Sequence, residues 1–231
     1  MPAHTSGGYT GASAFMPLIL ALDTTQPTGS VALAAAAALL ETRAICAPTG
    51  FSSVIYEELA ALLERHGVKL AQIDGYGAAS GPGSFTGVRV GLTVAKGLAE
   101  AHGKLVAPVS NLLAIASLAQ RSTQGLLCPI IDVRRGEVAA AVYSNALELL
   151  IAPFSAEPGE VARRAAECGA VIYCGADAPR FFPGALETSP YLAGAIALLA
   201  ARDLAAGRGL DPAAADADYV RRADIGPPVH R

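Results

Sequence analysis

Hydrophobic and polar positions alternate along this chain with two different periods. Leu18–Asp23 is a short apolar run closed by a Thr-Thr-Gln-Pro-Thr-Gly turn, and residues 30–35 and 40–47 read as two further strands, an antiparallel start. From Ser52 the period lengthens. Ile55, Leu59, Leu62 and Leu63 fall at i, i+4, i+7 and i+8, one face of a helix that Gly67 ends. A strand over 73–79, a glycine-rich loop over 80–87, a helix over 88–102 and a strand over 105–109 follow, and Ser110 stands where it would cap a helix reaching about residue 120. Beyond it, strands over 127–132 and 137–144 flank the polar turn Val133-Arg134-Arg135-Gly136, and the pattern continues as a helix over 161–168, a strand at Val171–Cys174 and a helix over 191–206.

The order βββαβα followed by a weaker α/β half differs from a doubly wound sheet, which would alternate from its first strand. It predicts an α/β chain of the actin-like and sugar-kinase-like type with two lobes, the second degenerate. The expected divisions are a disordered extension over 1–16, an N-terminal lobe over 17–107 and a C-terminal lobe over 108–231 that ends in a basic tail.

Composition narrows the function classes. A 231-residue chain that is 52% hydrophobic can bury a sizeable core, while 16% charged residues and a net charge of −3 give no overall positive field for nucleic acid. Contact with RNA is expected to pass through something else. Cys46, Cys128, Cys168 and Cys174 show no Cys-x-x-Cys spacing and read as reduced and inert. Residues 1–15 lack the basic and apolar regions of a secretory signal, which makes Met16 a plausible start. The apolar runs at 31–40 and 191–206 fall short of the ~20 residues of a membrane span, so a soluble, cytoplasmic protein is expected.

Few segments could carry chemistry. Gly81-Pro82-Gly83-Ser84-Phe85-Thr86-Gly87, between a strand and a helix, has the form of a phosphate-cradling loop, since glycines let N–H groups converge at a helix N-terminus. It lacks the lysine of a P-loop and the third glycine of a dinucleotide fingerprint, so a tight strand-to-helix turn is the competing reading. Asp23, Thr24 and Thr25 end the first strand. They read either as the remnant of a nucleotide site or as an Asx-type turn. His4, His66, His102 and His230 form no metal-ligand pair, and Ser84 has no histidine near it in sequence to make it a nucleophile. Arg134-Arg135, Arg163-Arg164 and Arg221-Arg222 read as solvated faces. The terminal VRRADIGPPVHR is the sole candidate for direct nucleic-acid contact.

The helix after the glycine loop is unusually apolar. Arg89, Thr93, Lys96 and Glu100 share an arc of about 60° at 100° per residue, and nearly everything else from 88 to 101 is apolar or small. Packing on one sheet needs an apolar stripe of only about 100° upward, so a second covering surface is implied. It could be another element of the same chain, or another protein against which Gly91 and Ala95 allow close approach.

The runs ILALDTT, SGPGSFTGVRVGLTVAKGLA, IDVRRGEVAAAVY and DYVRR together resemble the bacterial TsaB (YeaZ) family, over about residues 18–225. The resemblance implies an actin-like, sugar-kinase-like two-lobed fold and a non-catalytic subunit that docks onto TsaD, which forms threonylcarbamoyladenosine at position 37 of tRNA. It also implies a TsaE-type ATPase partner, a homodimer when alone, and tRNA met indirectly through the complex. Residues 50–57 carry no HxxxH pair of the kind expected in the catalytic relative, and Phe51 stands where the family often has a polar residue or histidine. No catalytic or metal residue is then expected. Asp23, Thr24, Thr25, Gly81, Gly83, Ser84, Thr86 and Gly87 would form a remnant phosphate loop. Val54, Ile55, Leu59, Val88, Gly91, Leu92, Val94, Ala95 and Leu98 would form the partner interface. No cofactor is expected, unless an adenine nucleotide sits at that interface. A small-molecule kinase of the same superfamily and a peptidase are the rival readings.

Overall fold

A computed structural model of the chain describes residues 17–35, 38–47 and 50–218. The expectations for residues 1–16 and for the basic tail from 219 onward lie outside the described residues. Five strands form the first sheet: β1 (Leu18–Asp23), β2 (Gly29–Ala35), β3 (Ala38–Ile45), β4 (Gly75–Gly81) and β5 (Leu105–Ser110), in the order β3-β2-β1-β4-β5. β1 pairs antiparallel with β2 and parallel with β4. Helix α1 (Ile55–Arg65) precedes β4, and α2 (Phe85–His102) connects β4 to β5.

The second half repeats the plan. After α3 (Asn111–Ala119) come β6 (Leu126–Asp132), β7 (Val138–Tyr143), β8 (Leu149–Ala156), α4 (Pro158–Ala165), β9 (Val171–Cys174) and α5 (Ala193–Ala205). The second sheet runs β8-β7-β6-β9, with β6 antiparallel to β7 and parallel to β9. It matches the first sheet strand for strand except for a counterpart of β5, which is the degeneracy of the second lobe.

Three apolar layers hold these elements together. Leu20, Leu22, Leu33 and Tyr76 face α1 and α2 on one side of the first sheet. Ile19, Ala21 and Ala79 face α3 and α5 on the other, together with Leu127, Ile131 and Tyr143 from the second sheet. Cys128, Ile130 and Val142 pack under α4. α5 runs back to the first sheet and lies across β1, β2, β4 and β5. It approaches closely because β4 carries glycine on that face: a Cβ at Gly77 would stand 2.9 Å from that of Ala200. Truncating the fully buried Ile196 of α5 to alanine would cost about 2–5 kcal/mol.

A strand, a helix start and a cap differ from the sequence pattern. β8 carries no clean alternation, because as an edge strand containing Pro153 it is half-buried along most of its length. α2 starts at Phe85, three residues before the expected 88, because Ser84 caps it by accepting from the Gly87 N–H at 3.2 Å. Ser110 holds the N-cap position of α3, but its side chain makes no capping bond.

Candidate functional site

The turn after β1 is folded into the protein. Asp23, Thr24, Thr25 and Asn111 are buried. Asp23 Oδ1 accepts from the Thr25 N–H at 2.9 Å and from the Thr25 hydroxyl at 2.6 Å, the Asx-type turn. Asn111 Nδ2 donates to Thr25 Oγ1, and Asn111 Oδ1 accepts from the Gly81 N–H at 3.2 Å, tying the two turns together. Asp23 Oδ2 has no hydrogen-bond partner. Burial pushes the Asp23 pKa up. Its bonds from Thr25, and the nearby Leu192 N–H, which forms no bond to Oδ2, pull it back only in part.

The glycines that looked like a phosphate cradle are filled by this turn. Thr24 Oγ1 donates to the Gly87 carbonyl at 2.6 Å, and Ser84 N–H donates to Thr25 O at 2.8 Å. A Cβ at Gly87 would overlap the Thr24 carbonyl, and one at Gly91 would stand 2.7 Å from Thr24 Oγ1. At Gly83 it would come within 2.8 Å of Thr25 Cβ. These glycines let α2 and its loop close onto the β1–β2 turn. Gly81 takes φ +103° where β4 ends, and Thr86 lies exposed on the first turn of α2. Asn111 escaped the sequence reading. Its one signal is a lone polar residue opening an apolar run, Asn-Leu-Leu-Ala-Ile-Ala.

Asp132 ends β6 as Asp23 ends β1. It is bound differently: Oδ1 accepts from the Arg134 N–H at 2.8 Å, and Oδ2 accepts from Arg180 at 3.2 Å. Between the two turns lies a cleft of about 160 Å³ lined by Gln26, Thr28, Ile130, Ile131, Asp177 and Ser189, among others. That is below the roughly 300 Å³ at which small-molecule sites begin.

The partner-interface expectation needs correction. Ile55, Leu59, Val88, Gly91, Leu92, Val94 and Ala95 are buried inside the chain, and Val54 and Leu98 are half-buried against the same core. The second cover over α2 is the chain's own residues 210–218. Leu210 bridges Val106 at the edge of β5, Ala215 enters the core, and the Ala215 carbonyl accepts from Lys96 Nζ at 2.7 Å. The Asp218 N–H then reaches the Ser80 carbonyl at 2.8 Å. What α1 and α2 do present outward is Tyr56, 60% exposed, and Phe85, 42% exposed with the Arg89 guanidinium stacked 3.6 Å above its ring.

Other candidates fall into place. Ser84 serves as the α2 cap, while His66 contacts Glu41 and His102 contacts the Leu98 carbonyl. Phe51 packs over Gly29, where a Cβ would overlap its ring. Among the described residues, no group of three or more His, Cys, Asp and Glu is placed to hold a metal ion, and no helix is long and apolar enough to cross a membrane.

Against known proteins, residues 47–172 match the family model TsaD, tRNA N6-adenosine threonylcarbamoyltransferase. The chain is similar to a tRNA threonylcarbamoyladenosine biosynthesis protein TsaB of Bacillus subtilis (strain 168), 46% identical over 65 residues, 28% of each chain. It is 35% identical to the protein of the same name in Escherichia coli (strain K12) over 128 residues, 55% of each. It thus spans about half or less of the length of these curated relatives. A crystal structure from Pseudomonas aeruginosa, described as an uncharacterized protein with similarity to peptidase YEAZ, superposes with a TM-score of 0.77 at 28% identity, over 89% of this chain and 100% of that one. The fold also resembles component A of the (R)-2-hydroxyglutaryl-CoA dehydratase of Acidaminococcus fermentans, with a TM-score of 0.54 at 11% identity. The chain belongs to the TsaB (YeaZ) family and carries a TsaD-like domain over residues 47–172.

Proposed function

We propose that this protein is a non-catalytic subunit in the formation of threonylcarbamoyladenosine on tRNA, and that it docks onto a TsaD-type transferase through the outer faces of α1 and α2. One observation carries the non-catalytic part: the glycine turn that could hold phosphate is occupied by Thr24 and Thr25, beside a carboxyl that burial drives toward its neutral form. A kinase needs that space for ATP. A peptidase needs a base at Ser84, whose hydroxyl caps a helix instead. The docking part is supported by Tyr56 and Phe85, two large exposed aromatic side chains on helices that pack on one core, the residue type that anchors protein interfaces. Without TsaD, the same surface would join two copies of the chain. A TsaE-type ATPase joins the complex, and an adenine nucleotide, if one binds, would lie at the docked interface and not in the cleft.

The test is co-purification of the full chain with TsaD from the same source, using wild type and Tyr56→Glu/Phe85→Glu. The variant should fold with an unchanged melting temperature and lose capture by about 2 kcal/mol or more, roughly thirty-fold. Tight capture by the variant would move the docking surface elsewhere. Modification of tRNA by the pure chain alone would overturn the non-catalytic reading.

A further inference from the structure

The cover that residues 210–218 lay over α2 is lightly fastened. Gly207, at φ 72°, turns the chain out of α5, and the segment that follows forms no helix and adds only an isolated bridge to β5. Within it only Pro212 and Ala215 are buried. The rest of its hold is polar. Two backbone bonds join Leu210 to Val106 at 2.9 and 2.8 Å, Lys96 Nζ donates to the Ala215 carbonyl at 2.7 Å, and the Asp218 N–H donates to the Ser80 carbonyl at 2.8 Å. A segment held by two small buried side chains and a few bonds at a sheet edge opens at a lower free energy than the strands beneath it.

Lys96 is the middle fastening, and it also belongs to the outward face of α2. Phe85, Arg89 and Lys96 stand at i, i+4 and i+11 on one stripe, which places Lys96 about 16 Å along the helix from Phe85. Among the described residues its ammonium makes one hydrogen bond, to the neutral Ala215 carbonyl, and no ion pair. A carboxylate offers what that carbonyl does not, a full opposite charge. The segment itself supplies none to Lys96, although Asp216 and Asp218 are exposed on it. Closed, it sets these two carboxylates against an acidic partner approaching α2. Open, it removes them and leaves Lys96 free to pair. The two states therefore differ in what an acidic partner meets, which is the condition for binding to shift one into the other.

We propose that residues 210–218 are a strap latched by Lys96, and that the docked partner opens it by setting a carboxylate on Lys96 in place of the Ala215 carbonyl. The identity of that partner rests on the proposed docking to a TsaD-type transferase, but the latch does not. The test is hydrogen exchange on the full chain across low urea concentrations, alone and with TsaD from the same source. Alone, the Leu210 and Asp218 amides should exchange together, roughly a hundred-fold or more faster than the Leu20 amide of β1. Their rates should hardly respond to urea, while that of Leu20 rises steeply, because opening the strap exposes little surface. Lys96→Met should speed both strap amides roughly ten-fold, and Lys69→Met, which removes an exposed lysine elsewhere, should not. In the complex the two amides should again exchange roughly ten-fold faster than in the free wild type. Lys96→Met should weaken capture of TsaD about ten-fold, and Lys96→Arg should keep it. Strap amides that exchange only together with Leu20, or that keep the wild-type rate in Lys96→Met, would overturn the latch. An Asp218 amide better protected in the complex would show that the partner clamps the strap shut, and would overturn its release. If wild type captures no TsaD, the docking reading and the incoming carboxylate fall together, while exchange in the isolated chain still decides the latch.

Discussion

Two alanines in one helix should act in opposite directions. Gly97 of α2 is exposed and a Cβ there would meet nothing within 4 Å, so Gly97→Ala removes a flexible residue from a helix interior and should stabilise by about 0.5–1 kcal/mol. Gly87→Ala gains the same helix preference, but its Cβ overlaps a backbone carbonyl of the β1–β2 turn, which cannot rotate aside. α2 must retreat. That breaks the Thr24 Oγ1 bond to the Gly87 carbonyl and strands a buried hydroxyl, at about 1–3 kcal/mol. It also loosens Val88 and Leu92 in the core, at a further ~1–3 kcal/mol. Net of the helix gain, Gly87→Ala should lose roughly 1–5 kcal/mol, a fall in melting temperature of about 2–20 °C for a chain of this size. Urea unfolding of both variants against wild type measures the difference. If Gly87→Ala is as stable as Gly97→Ala, the turn does not fill the glycine loop, and the strongest reason for calling the subunit non-catalytic goes with it.

Other perturbations test separate contacts. Ala95→Glu buries a charge in the core under α2 and should prevent folding, where a surface position would have tolerated it. Tyr76→Phe should be neutral or stabilising by about 1 kcal/mol, because the Tyr76 hydroxyl is buried without a partner and burial pushes its pKa up to about 12. For Asp23 the pKa is raised on folding, so the contribution of its carboxyl is fully present below its unfolded value of 3.8 and is lost as pH rises through the folded one. Asp23→Ala should therefore gain stability relative to wild type as pH is raised from 3 toward neutrality, read from paired thermal melts. With a thiol reagent, exposed Cys46 should react first, while Cys128 and Cys174, buried and with pKa pushed up to about 12, should react only on unfolding.

Much of this fold was legible because its strands and helices obey their periods. Leu18–Asp23 and the i, i+4, i+7, i+8 face of α1 depend on local spacing, and spacing is written in the sequence. The width of the apolar stripe on α2 was legible too, as the need for a second cover. Its owner was not. Ala215 reaches Lys96 across 119 residues, and no local pattern announces that a loop far along the chain will lie down there. The glycine loop stayed open between two readings for a related reason: glycines that make room for a phosphate and glycines that make room for a threonine look alike until the threonine is placed. Asn111 shows the same limit, since its two partners lie 86 and 30 residues away.

The two matching hairpins bear on where this chain can bind anything at all. Asp23 and Asp132 close the first strands of equivalent sheets, and a site for a metal-bound phosphate would require at least one of them ionised and within reach of the cleft. Burial moves Asp23 toward its neutral form, while the Arg134 N–H and the Arg180 side chain occupy both oxygens of Asp132. The two carboxyls are withdrawn by unrelated means, one by desolvation and one by pairing, so no single substitution restores the pair. Removing Arg180 would release only Oδ2 of Asp132, since the Arg134 N–H still holds Oδ1, and would leave Asp23 buried with its own Oδ1 bonded to Thr25. Binding by such a fold is then expected from its outer surface, where Tyr56 and Phe85 are among the large apolar side chains left exposed.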